Sequence, residues 1–113
     1  MRPISKKMRL EISTDPFFRQ CVITGDTKNV SIEHCWIYGG KQINEIWAMV
    51  PLRRDLNVNM EADVKEKCRW ISINRAAPAD FAKYPKFNWE QTKRYLNGKY
   101  SPKIIKPGQG KLI

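Results

Sequence analysis

Two short runs suited to a pleated, half-buried surface, residues 30–34 and residues 46–52, flank a segment that bends at Gly39 and Gly40. A chain built this way returns on itself as strand, loop and strand. In the first run, alternation places Val30, Ile32 and His34 on one face and Ser31 and Glu33 on the other. From about Arg53 to Asn74 the pattern turns helical, with Val64, Cys68 and Ile71 at helical spacing and Asn57 or Asn59 available as an N-cap. Pro51 marks a strand end or an exposed edge.

The flanks read as additions to this unit. Residues 1–14 are basic, and the alternation from Met8 to Ile12 suggests a short edge strand or an arm. Cys21, Val22 and Ile23, set against residues 30–34 across a turn at residues 25–29, suggest a β-hairpin. Ala77-Pro78 ends the main helix, and a short helix restarts at Pro78 and stops before Pro85. Asn88 and Gln91 have capping-box spacing, and the helix they open is expected to stop at Asn97-Gly98. Residues 99–113 carry Lys99, Lys103, Lys106 and Lys111 with no acid, which predicts a mobile basic tail. The division expected is a basic arm over 1–14, one domain over 15–98 and a tail over 99–113.

The 113 residues allow one domain with one modest core. The net charge of +10 points to a polyanionic partner, nucleic acid above all. No segment approaches the run of about 20 apolar residues that spans a bilayer, and no long basic amphipathic helix suggests a membrane surface. Three cysteines without paired spacing argue against a disulfide framework and for a reducing, cytoplasmic setting.

His34 is the only histidine in the chain and follows Glu33 directly. Phosphodiester hydrolysis needs an activated water, charge compensation on the phosphate and help for the leaving 3′ oxygen. Histidine suits the first task, and a divalent ion on oxygen ligands suits the other two. Glu33, His34, Asn44 and Asn57 supply these residue types within one strand–loop–strand–helix unit. Each also has an ordinary structural reading: a packed or surface histidine, a lysine-paired glutamate, a turn asparagine, a helix cap.

Glu33-His34, then Gly39-Gly40-Lys41-Gln42-Ile43-Asn44-Glu45, then Trp47-Ala48-Met49-Val50-Pro51-Leu52, resemble small bacteriophage-encoded HNH nucleases. The likeness continues through residues 70–76, 84–89 and 95–96 and covers roughly residues 20–100. It implies an α+β fold with a ββα-metal core, extra C-terminal helices and a basic tail. It also implies metal-dependent cleavage of double-stranded or branched DNA. His34 falls where that family has its general base, and Glu33 on an acidic metal ligand. Asn44 falls on the asparagine that braces loop and base, and Asn57 close to the family's last histidine, a metal ligand at the helix start. An asparagine there offers a hard carbonyl oxygen, which points to Mg²⁺ or Mn²⁺.

The family's zinc-binding Cys-x-x-Cys knuckles survive only as Cys21-Val22-Ile23-Thr24 and Arg53-Arg54-Asp55-Leu56. A structural site wants four ligands. No structural zinc is therefore expected, with Trp and Phe packing in its place. Lys41, Arg53 and Arg54 flank the two motif halves as candidate phosphate contacts. Two other readings stay open: a nucleic-acid-binding protein on the same scaffold without catalysis, and a module whose basic face meets an acidic protein.

Overall fold

A computed structural model describes residues 3–100 of the chain. It shows a mixed α+β arrangement in which short helices surround two small antiparallel sheets. Helix α1 (Lys6–Thr14) comes first. It replaces the strand or arm expected over Met8–Ile12, because the Ser5 side chain caps it by accepting from the Met8 N–H at 3.2 Å. Met8 and Ile12 are also four apart, so a two-residue alternation and a helical stripe coincide there. A 3₁₀ turn over Pro16–Arg19 follows, capped by Asp15, and buries Phe18.

The hairpin expected over residues 21–34 does not form. Residues 21–24 make a tight turn in which the Gly25 N–H donates to the Cys21 carbonyl at 2.9 Å. Strand β1 (Val30–His34) pairs instead with a strand later in the chain. The connecting loop carries its own small hairpin, β2 (Ile37–Tyr38) and β3 (Lys41–Gln42). Gly39 and Gly40 turn it at φ +59° and +80°, the left-handed pair that a two-residue turn between twisted strands requires. Ile46–Ala48, expected as strand, is a 3₁₀ turn, and β4 is Met49–Arg53.

The β1–β4 register pairs Val30 with Arg53, Ile32 with Pro51 and His34 with Met49. Pro51 lies fully buried in mid-strand, not at a strand end. A sheet of only two strands leaves each with an unpaired edge, which accommodates the missing N–H. The Pro51 carbonyl accepts from the Val22 N–H at 3.0 Å, which ties the turn at residues 21–24 to β4.

Helix α2 (Arg54–Val58) follows β4 directly, and α3 (Ala62–Arg75) starts at Glu61. Neither Asn57 nor Asn59 caps α3; Asn57 lies inside α2. Val64, Cys68 and Ile73 of α3 pack with Val50 and Leu52 into the main core. Helix α4 (Pro78–Phe81) begins at the expected proline. Helix α5 (Trp89–Lys99) is capped by Asn88, whose side-chain oxygen accepts from the Gln91 N–H at 3.0 Å. It runs on past Asn97-Gly98, because Asn97 accepts from Trp70 Nε1 and Asn74 Nδ2 on α3, each at 2.8 Å. Lys99 therefore belongs to a helix and Tyr100 to the core, not to a tail. The remainder of the expected tail, residues 101–113, lies outside the described residues, as do residues 1–2.

An aromatic cluster holds α4 and α5 against the loop between β1 and β4. Trp89 sits 5.1 Å from Trp36, 5.6 Å from Trp47 and 5.1 Å from Phe81, ring centre to ring centre. Trp36 Nε1 donates to Ser72 Oγ at 2.8 Å, so a buried hydroxyl and a buried indole satisfy each other. Among the described residues no helix is long and apolar enough to cross a membrane.

Candidate functional site

His34 closes β1 and is 6% exposed. Its Nε2 lies 3.0 Å from Asn44 Oδ1, across the loop that holds the Gly-Gly hairpin. Asn44 in turn donates from Nδ2 to the Pro3 carbonyl at 2.9 Å. That second bond fixes which end of the amide faces the ring: the nitrogen is committed to Pro3, so the oxygen meets His34. An oxygen accepts only, so Nε2 must carry the proton. In the neutral ring Nδ1 is then the bare nitrogen, and it is buried without a hydrogen-bond partner among the described residues.

Glu33 precedes His34 but points the other way. Strand alternation and the register put Ser31, Glu33, Val50 and Leu52 on one face, and Ile32, His34, Met49 and Pro51 on the other. Val50 and Leu52 are fully buried, so the Glu33 carboxylate shares its face with the core. Burial raises its pKa above the ordinary value, partly offset by the His34 backbone N–H and by Lys65 and Arg69 on α3.

Asn57 reaches this same face from α2, donating from Nδ2 to Ser31 Oγ at 3.0 Å. Ser31 Oγ passes the bond to the Leu52 carbonyl at 2.9 Å. The Asn57 nitrogen is thereby committed to Ser31, and its Oδ1 accepts no hydrogen bond among the described residues. The face thus offers two hard oxygen donors, the Glu33 carboxylate and Asn57 Oδ1. Among the described residues no three His, Cys, Asp or Glu side chains gather where a metal would sit.

The turn at residues 21–24 and the β4–α2 junction meet around Cys21, which is fully buried. Its sulfur accepts from the Arg53 N–H at 3.2 Å and the Thr24 N–H at 3.5 Å. The Trp89 aromatic cluster lies with α4 and α5, while Phe17, before the turn, packs against the core that holds Cys21 and Leu52. The Arg53 guanidinium bridges the two turns, 2.7 Å from Asp26 and 2.6 Å from Asp55. It holds both carboxyls below their ordinary range. Its donors are largely taken, whereas Arg54 on the first turn of α2 and Lys41 beside the Gly-Gly turn are exposed.

Of the residues singled out in the sequence, the structure joins His34 to Asn44, and it brings Asn57 to the Glu33 face through Ser31. Sequence reasoning missed Ser31 and Pro3. Ser31 was discoverable, since it stands two residues before Glu33 on the same strand face. Pro3 acts through its backbone carbonyl, 41 residues from its partner, and residue type carries no signal for that. The chain matches no known family model, no curated protein and no solved structure.

Proposed function

We propose that this protein is a metal-dependent DNA endonuclease or nickase with a ββα-metal core formed by β1, β4 and α2. The observation that carries this reading is the Pro3–Asn44–His34 chain of hydrogen bonds, which directs the Nε2 proton to Asn44 and leaves the Nδ1 lone pair of the only histidine without a partner among the described residues. Nδ1 takes the proton of the attacking water, while Asn44 holds the ring and its tautomer. Glu33 and Asn57 fit a Mg²⁺ or Mn²⁺ ion, which commonly keeps water and substrate phosphate in its other positions. When bound, such an ion offsets charge on the phosphate and the leaving 3′ oxygen. A half-buried carboxylate with a raised pKa suits this role, because a cation compensates the burial of its charge. Arg54 and Lys41, both exposed, serve in this reading as phosphate contacts on either side.

Two observations favour a second reading, a nucleic-acid-binding protein without catalysis. Glu33 and His34 lie on opposite strand faces, and one end of Asn57 is already tied to Ser31. That reading expects DNA binding indifferent to metal and to His34.

The deciding experiment is cleavage of supercoiled plasmid, single-stranded DNA and branched DNA in Mg²⁺, Mn²⁺ or EDTA. Wild type should cut only with metal. His34→Ala should be slower by roughly 10²–10⁴-fold with unchanged circular dichroism. Absence of metal-dependent cutting on every substrate, with DNA binding intact in both proteins, would overturn the nuclease reading.

A further inference from the structure

The β2–β3 hairpin leaves Ile37 60% exposed, and across from it stand Phe87 at 37% and Tyr95 at 59%. Ile37, Phe87 and Tyr95, with Trp36 and Arg69, line a cleft of about 220 Å³. Ile37 and Phe87 also line a second cleft of about 400 Å³, with Tyr38 and Lys86. Ile37 and Phe87 line both, so the two clefts adjoin along one grooved surface.

Its floor is fixed. Phe87 packs 4.5 Å from Trp89 and 5.8 Å from Trp36. The Arg69 guanidinium lies 5.3 Å from the Trp36 ring centre and donates from Nε to the Cys35 carbonyl at 3.1 Å. Rings held this firmly lose little freedom when a flat ligand settles on them.

Charge selects the occupant. Arg69 and Lys86 contribute cations to the groove, and the carboxylate that lines it, Glu66, is already engaged by Lys99 and the Tyr100 hydroxyl, each at 2.6 Å. An apolar peptide or a second copy of this basic chain gains nothing from those cations. A polyanion that also carries flat π faces satisfies both the rings and the charges, and unpaired bases on a DNA strand are such a ligand.

We propose that the Ile37–Phe87–Tyr95 groove is a stacking platform for unpaired bases, so that the DNA this protein engages contains a single-stranded segment. The proposal rests on the nucleic-acid part of the function given above, and not on catalysis.

The test is binding of the full chain, in EDTA, to a fluorescent oligothymidylate and to an abasic strand of equal length. Wild type should prefer the base-bearing strand. Tyr95→Ala should bind it roughly 5- to 100-fold more weakly, while Tyr95→Trp retains the preference. Ile37→Ala should weaken it in the same direction, and binding of the abasic strand should change in none of the three. Both Ile37 and Tyr95 are exposed, and circular dichroism checks their fold. Equal wild-type affinity for the two strands, unchanged binding in both alanine variants, or binding to neither strand would each overturn the groove proposal. Cleavage is read separately with metal and His34→Ala: base-dependent binding without cleavage would remove the nuclease reading alone, and cleavage without base preference would remove the groove alone.

Discussion

At the scale of single residues, two neighbours in sequence do separate work because a strand turns them apart. His34 enters a hydrogen-bonded chain on one face, and Glu33 meets the core on the other. The raised Glu33 pKa means the folded protein holds this proton more tightly than the unfolded chain does. Folding stability therefore falls as pH rises from the ordinary glutamate value of 4.5 through the folded value. Glu33→Gln removes that loss. In metal-free buffer its melting temperature relative to wild type should climb between pH 4 and pH 8, and thermal denaturation across that range checks it. Mg²⁺ or Mn²⁺ should raise the melting temperature of wild type and not of the variant. Much of this residue chemistry was legible, since His34, Glu33, Asn44 and Asn57 all stood out by type and spacing. What spacing does not reveal is the tautomer, which depends on a carbonyl near the start of the chain.

At the scale of elements, the sequence told most where a local rule had no competitor. The Gly39-Gly40 bend, the proline opening α4 and the Asn88 cap are set by backbone sterics and nearby hydrogen bonds. Residues 21–23 are β-prone too, yet they form a turn, because the Cys21 sulfur captures the Arg53 N–H and the Pro51 carbonyl captures the Val22 N–H across the fold. Propensity loses there to long-range bonds that no window of sequence contains. The hairpin turn gives an element-scale prediction. Gly39 has φ +59°, which asparagine tolerates, and a Cβ there meets nothing within 4 Å. Gly39→Asn should stabilise the protein by about 0.5 kcal/mol by restricting the unfolded chain, measured by urea unfolding. Gly40, at φ +80°, should accept no such change.

At the scale of the whole molecule, excess positive charge outweighs any one contact. With a net charge of +10, affinity for DNA should fall steeply with salt. Replacing Lys103, Lys106 and Lys111 with alanine should flatten the slope of log affinity against log salt by about 2 on single-stranded DNA. Titrations at several salt concentrations measure that slope.

The packing around His34 has a practical consequence. One ring nitrogen is occupied by Asn44 and the other is buried, so an acylating reagent that modifies imidazole finds neither while this packing holds. The chain holds no second histidine to react in its place. The rate of histidine modification therefore counts how often this pocket opens, and DNA that props it open would speed the reaction while DNA that seals it would slow it.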